Sequence, residues 1–149
     1  MTDEAIIRYA RPEDFDAWLV LWQGYQAFYQ TSIAEATTIE TWQRFHDASE
    51  PMWCSVAEQD GRLVGLVHHI LHRSCWTTGD YCYLQDLYVD ETCRGRGLGR
   101  ALIGHVGVEA RSRGASRVHW LTHETNHDAM KLYDQVAGRS GFIQYRILF

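Results

Sequence analysis

The chain has 149 residues, enough for one domain with a substantial core. Hydrophobic residues make up 46% and charged residues 22%, and no run approaches the roughly eighteen apolar residues of a membrane-spanning helix. A net charge of -5 and a pI of about 5.9 argue against a broad nucleic-acid-binding surface. Met1-Thr2-Asp3-Glu4-Ala5 lacks the basic-then-apolar pattern of a secretion signal, so a cytoplasmic protein is expected. The charge is uneven. Residues 1–60 hold eleven Asp and Glu against three Arg, while residues 94–117 hold six Arg and one Glu. The acidic part favours a cationic substrate and the basic part a phosphorylated one, although solvated faces would give the same counts.

In chain order, Ile6 to Ala10 reads as a short strand. Pro12 suits the first turn of a helix, with Glu13, Asp14 and Asp16 beside it. Phe15, Trp18, Leu19, Trp22, Tyr25 and Tyr29 then recur at helical spacing. This stripe is mainly core, and part of it could wall a substrate pocket. Residues 31–39 read as a loop and 40–48 as a second helix. Trp53–Glu58 and Arg62–His72 flank Asp60-Gly61, a strong hairpin signal. A loop over Arg73–Asp80 leads to a central strand, Tyr81–Asp90. A helix follows over 98–112, ending near Gly114, with Glu109 and Arg113 placed as an i,i+4 pair. A strand over Val118–His123, a helix over 126–137 and a last strand over Phe142–Phe149 complete the chain.

The most informative stretch joins the central strand to the third helix: Arg94-Gly95-Arg96-Gly97-Leu98-Gly99. Strand, glycine-rich turn and helix together expose the N–H groups of a helix's first turn, where the helix dipole favours an anion. The glycine spacing does not fit a dinucleotide fingerprint, and the Gly-Lys-Ser/Thr of a Walker loop is absent. Arg94, Gly97 and Gly99 do fit [Arg/Gln]-x-x-Gly-x-[Gly/Ala], which a turn without a ligand could also satisfy. Cys54, Cys75, Cys82 and Cys93 lack zinc-site spacing. Cys54 and Cys82 should be buried in strands, and Cys93, beside the turn, exposed. His68 and His69 should face opposite sides of their strand, and no third ligand with telling spacing supports a metal.

Over nearly its whole length the chain resembles the GNAT family of N-acetyltransferases. "YLQDLYVDETCRGRGLGRALI" resembles that family's acetyl-CoA strand, loop and helix. "ETNHDAMKLYD" resembles its Asn-x-x-Ala-x-x-Leu-Tyr helix, and Gly141-Phe142 the turn into its last strands. The resemblance implies a mixed α/β single domain over residues 1–149. Its central sheet should be mostly antiparallel and splayed, with flanking helices. It also implies acetyl-CoA as co-substrate, no metal, and a small-molecule amine as partner rather than nucleic acid or membrane. A homodimer is a common state in the family. Leu87, Tyr88 and Val89 are assigned by resemblance to the pantetheine arm, with the Leu87 N–H near the thioester oxygen. Arg94, Gly95, Arg96, Gly97, Leu98, Gly99 and Arg100 are assigned to the phosphates, Asn126 to the pantetheine, and Tyr133 to the acid that protonates the leaving thiolate.

The base departs from the family pattern. Many relatives carry Glu-Asp where this chain has Gln85-Asp86. Gln85 cannot take a proton. Asp86 can, directly or through water, but neighbours on a regular strand face opposite sides, so it reaches the amine only if the strand is bulged or a water bridges the gap. A second departure is Asp134–Ser140, which separates Tyr133 from Gly141-Phe142 by more residues than usual. The expected activity is acetyl transfer to a primary amine: a polyamine, diamine or lysine-like amino acid. A peptide or protein lysine, or a non-catalytic acyl-CoA-binding role, are the alternatives.

Overall fold

The computed structural model describes residues 4–149. Strand β1 (Ile6–Tyr9) leads through a single 3-10 turn at Pro12–Asp14 into helix α1 (Phe15–Phe28) and helix α2 (Glu35–Phe45). Strands β2 (Met52–Gln59), β3 (Arg62–His72) and β4 (Tyr81–Val89) follow, then helix α3 (Leu98–Ser112), strand β5 (Val118–His119) and helix α4 (His127–Val136). The five strands lie in sequence order, antiparallel except for the parallel β4–β5 pair. The β2–β3 hairpin turns on Asp60 and Gly61, at φ 52° and 74°, the left-handed pair that matches strand twist. Among the described residues no helix is long and apolar enough to cross a membrane.

Each face of the sheet has its own core. On one side Trp18, Leu21 and Trp22 of α1 and Trp42 of α2 pack on Cys54, Val56 and Leu66. On the other, Leu98, Leu102, Ile103, Val106 and Ala110 of α3 pack on Ala57, Val67, Cys82 and Leu84. The apolar residues of α3 recur every three or four positions, so one stripe meets the sheet. His68 and His69 point to opposite faces: His68 lies against Trp22 and Phe45, and His69 stacks on Trp53.

Five sequence expectations need correction. Helix α2 starts at Glu35, inside the expected loop; Thr38 and Trp42, four residues apart, are its buried anchors, and their burial outweighs the weak helix preference of Thr37-Thr38-Ile39. Strand β5 has two residues rather than six, because its pairing with β4 ends at Tyr83↔His119. Residues 142–149 form no strand and are exposed. Cys93 is buried, not exposed: the 3-10 turn Glu91–Cys93 tucks it inward, with an Arg62 Nη2 3.5 Å from its sulfur. Glu109 takes the Tyr9 hydroxyl and Arg113 lies over Trp53, in place of the expected intrahelical pair.

One irregularity in β4 matters most. His68 pairs with Asp86, but the next residue, His69, pairs with Leu84. Gln85 is therefore an extra residue, a β-bulge, and the side-chain alternation of β4 switches phase across it. Before the bulge Cys82 and Leu84 face the α3 core; after it Tyr88 packs with the α1 core. Asp86 is turned to the α1 side, opposite to where unbroken alternation would send it.

His69 is wholly buried, and neither ring nitrogen has a hydrogen-bond partner. Burial pushes its pKa from 6.5 down to about 4, helped by His105 and Arg113, against Glu109. The unfolded chain therefore binds a proton at this residue between those values and the folded chain does not. Stability should fall as the pH is lowered through that window, by about 1.4 kcal/mol per pH unit for this one group. Urea unfolding of His69→Leu should show a flatter acid limb than wild type; parallel limbs would contradict the assignment.

Candidate active site

The turn from β4 into α3 is built on two left-handed glycines, Gly95 at φ 78° and Gly97 at φ 80°. A side chain at either would be strained, although nothing lies within 4 Å of the position its Cβ would take. Gly97 caps α3, and the first intrahelical bond runs from the Ala101 N–H to the Gly97 carbonyl, at 3.0 Å. The N–H groups of Leu98, Gly99 and Arg100 thus have no partner within the helix and point out of its start. The Leu98 side chain is buried and anchors the turn. Arg94 braces it from the other side: its Nε donates to the Val89 carbonyl at 3.0 Å, and its guanidinium lies 5.4 Å from the Phe28 ring and 5.5 Å from that of Tyr88. Arg96 is exposed and free to meet an anion, whereas Arg100 donates to Gln135 on α4. Open space, unpaired amides and a positive helix end fit a pyrophosphate.

Beyond Tyr83, strands β4 and β5 part. Strand β4 runs on to Val89 with no strand beside it on that edge among the described residues. Its backbone there is available to an extended ligand, such as a pantetheine arm leading away from the α3 turn. Leu87 and Val89 are half-buried and pack toward the α3 core, while Tyr88 turns to the α1 side.

The bulge places Asp86 in the α1 layer, 8% exposed. His68 Nδ1 lies 2.9 Å from Asp86 Oδ2, and the Trp18 Nε1–H donates to His68 Nε2 at 3.0 Å. The indole fixes Nε2 as an acceptor, so Nδ1 carries the proton and donates it to the carboxylate. The Tyr25 hydroxyl is a further partner of Asp86. Three tyrosines feel this carboxylate: Tyr25, Tyr29 and Tyr83 are each pushed above the ordinary 10.0, first by burial and then by Asp86. Arg94 opposes the shift at Tyr29, and Arg146 opposes it at Tyr83. Gln85, by contrast, is exposed at the bulge and outside this cluster.

Tyr133, on α4, packs edge-on against Trp120 with ring centroids 5.5 Å apart. Its pKa is pushed up to about 12, chiefly by burial and secondarily by Tyr29. Tyr29 thus lies between the two groups, sensed by Tyr133 and sensing Asp86. Asn126, just before α4, donates from Nδ2 to Thr122 Oγ1 at 3.2 Å. Of the residues singled out in the sequence, Asp86 and Tyr133 are linked only through Tyr29, which feels Asp86 and is felt by Tyr133, and Gln85 stands apart from both. His68, Trp18, Tyr25, Tyr29 and Tyr83 join Asp86; their aromatic and histidine character was visible, but helical or strand periodicity reads such residues as core.

A mixed sheet whose β4 and β5 part beyond Tyr83, and a left-handed glycine turn from β4 into a helix, are the architecture of CoA-dependent acyl transferases. Residues 6–138 match the Acetyltransferase (GNAT) family, and the chain belongs to that family. It is 32% identical over 148 residues to the D-amino-acid N-acetyltransferase HPA3 of Saccharomyces cerevisiae, covering 98% of this chain and 92% of that protein. It is 36% identical over 63 residues to a thialysine N-epsilon-acetyltransferase of Caenorhabditis elegans, covering 42% of this chain and 39% of that protein. Among solved structures, AAC(6')-Iy in complex with a CoA-linked bisubstrate analogue superposes with a TM-score of 0.78 at 17% identity, over 98% of this chain and 96% of the other. The fold and the acetyltransferase class are thereby settled, and the family's co-substrate is acetyl-CoA.

Two outcomes test this geometry. Gly97→Glu should abolish acetyl-CoA binding by calorimetry while the protein stays folded by circular dichroism, because it puts a charged side chain into the cradle at a strained backbone position. Unchanged affinity in the folded variant would remove the turn from the phosphate site. His68→Leu, which strips a donor from Asp86 and leaves the Trp18 N–H unpaired, should lower kcat/KM for the amine roughly 10- to 100-fold with acetyl-CoA affinity unchanged. His68→Asn, which keeps a donor, should recover part of the loss.

Proposed function

We propose that this chain transfers an acetyl group from acetyl-CoA to the primary amine of a small cationic molecule, an amino acid or diamine, by direct attack in a ternary complex. The observation that carries this reading is Asp86, a nearly buried carboxylate in a cluster with Tyr25, Tyr29 and Tyr83. A carboxylate with aromatic walls suits an ammonium group, through an ion pair and cation–π contact. HPA3 acts on D-amino acids and the nematode relative on thialysine, which supports an amino-acid amine.

The chemistry needs a bare nitrogen lone pair, a stabilised oxyanion and a protonated leaving group. Asp86, positioned by His68 and Tyr25, takes the ammonium proton directly or through water. The nitrogen attacks the thioester carbonyl, whose oxygen gains charge near the Leu87 N–H. The tetrahedral species sheds a second nitrogen proton as the C–S bond breaks, and Tyr133 gives its proton to the departing thiolate. Solvent takes the proton from Asp86 and the one shed by the nitrogen and returns one to Tyr133, so ammonium plus acetyl-CoA yields amide, CoA thiol and one released proton net. The backbone of Leu87 to Val89 holds the arm beside α4, where Asn126 adds a polar contact. The amides of Leu98 to Arg100 hold the pyrophosphate.

Because Tyr133 is pushed up to about 12, it keeps its proton across roughly pH 6–10 and adds no alkaline limb there. Tyr133→Phe should lower kcat by roughly 10²-fold with little change in acetyl-CoA affinity. Wild-type turnover in that variant would make Tyr133 a packing residue only. The class of acceptor is tested by mass spectrometry of an amine panel containing D- and L-amino acids, diamines, polyamines and lysine peptides. Acetylation of free amino acids or diamines well ahead of peptides is expected; preference for peptides would overturn the small-molecule reading, and CoA binding without turnover of any amine would favour a non-catalytic role.

A further inference from the structure

Arg146 is an exposed guanidinium outside any helix or strand. Its Nε donates to Gln144 Oε1 at 2.7 Å. Among the described residues no carboxylate lies within ion-pair distance of it. Its terminal nitrogens are thus left over, and they form the edge of the fork that meets a carboxylate with two parallel hydrogen bonds.

This cation belongs to the surroundings of Asp86. Its charge acts on the Tyr83 hydroxyl, where it opposes that of Asp86. Tyr83 and Asp86 share a face of β4. Cys82 and Leu84 point into the α3 core, so Tyr83 points the other way, and the bulge at Gln85 brings Asp86 to that same side. The Tyr83 ring is held in place by stacking on His119 of β5, with centroids 5.3 Å apart and planes at 16°. Asp86 and Arg146 therefore act on one fixed ring, yet they do not pair: Asp86 is met by His68 and Tyr25 instead. An anion and a cation that share a neighbour without touching suit a molecule that carries the opposite pair.

The balance of charge also disfavours some amines. Arg94 opposes Asp86 at Tyr29 as Arg146 does at Tyr83. Two guanidiniums around one carboxylate repel the second ammonium of a diamine or polyamine and attract a carboxylate. Arg94 is committed to the glycine turn through its bond to the Val89 carbonyl and its place over Phe28 and Tyr88. Arg146 has no such engagement. Resting on the reading that Asp86 receives the amine, we propose that Arg146 binds the carboxylate of the acceptor, so that the enzyme selects free amino acids over diamines, polyamines and amines without a carboxylate. The acceptor lies along Tyr83, its ammonium toward Asp86 and its carboxylate toward the terminal nitrogens of Arg146. Arg146 takes no part in making or breaking bonds; it decides which amine is held.

The test uses leucine and lysine in both hands, each as free acid and as carboxamide, with 1,4-diaminobutane alongside. Wild type should acetylate the free acids ahead of the diamine. Arg146→Gln should raise KM for the free acids roughly 10- to 100-fold and leave the carboxamides within about twofold, with kcat, acetyl-CoA affinity and thermal unfolding unchanged. A carboxamide makes its amine less basic, so the quantity read is the change in the acid-to-carboxamide ratio between variant and wild type. Arg146→Lys, which keeps the charge and loses the fork, should recover part of the loss. Asp86→Asn should slow acids and carboxamides alike. An acid-to-carboxamide ratio that Arg146→Gln leaves unchanged, or a diamine preferred to every free acid, overturns the proposal while the role of Asp86 stands. An Asp86→Asn enzyme as fast as wild type, or a chain that acetylates no amine, removes the reading on which the proposal rests and the proposal with it.

Discussion

One extra residue in β4 decides where every functional side chain of that strand points. With unbroken alternation, Leu84, Asp86 and Tyr88 would share a face, and Asp86 would be driven into the apolar α3 core. Burying an unpaired carboxylate there would cost several kcal/mol. The bulge at Gln85 lets Leu84 stay in that core while Asp86 crosses to the α1 layer, where His68 and Tyr25 meet it. The local ladder loses a regular pair; the sheet gains a carboxylate held in the α1 layer by His68.

Because both halves of the site grow from β4, they are rigidly coupled. The strand's middle supplies Asp86, its free edge faces the β4–β5 opening, and its end feeds the left-handed glycines that start α3. Arg94 reinforces this coupling by bonding back to Val89 while lying over Phe28 and Tyr88. On the proposed reading, the glycine turn, the free edge of β4 and Asp86 are therefore fixed relative to one another by a few residues of one strand, which suits a reaction that depends on alignment of two substrates. The aromatic layer of α1 and α2 does two jobs: Trp18 is core, yet its indole N–H sets the tautomer of His68 and so the orientation of Asp86.

Much of this was legible in the chain. The Asp60-Gly61 hairpin, the α3 stripe and the glycine turn all carry strong local signals, and each formed where expected. What was not legible depends on partners distant in sequence. The start of α2 is set by Thr38 and Trp42 finding the sheet, not by capping residues. The bulge follows from pairing with β3, and nothing in Leu84-Gln85-Asp86 marks which residue will be the extra one. His68 carried no site signal because its partners are remote: the Trp18 and Asp86 that engage it are fifty and eighteen positions away. The last strand had the right alternation, but a strand exists only where an edge receives it.

The central claim is that the bulge delivers Asp86 to the acceptor amine as its base. The most direct measurement is the pH dependence of kcat/KM for wild type and Asp86→Asn, with two amines of different basicity. The account predicts that Asp86→Asn loses roughly 10²-fold or more in kcat/KM with acetyl-CoA affinity intact, and that wild type has one limb that stays in place when the amine is changed. An Asp86→Asn enzyme as fast as wild type, with its only limb following the pKa of each amine, would contradict it and leave Asp86 a structural carboxylate.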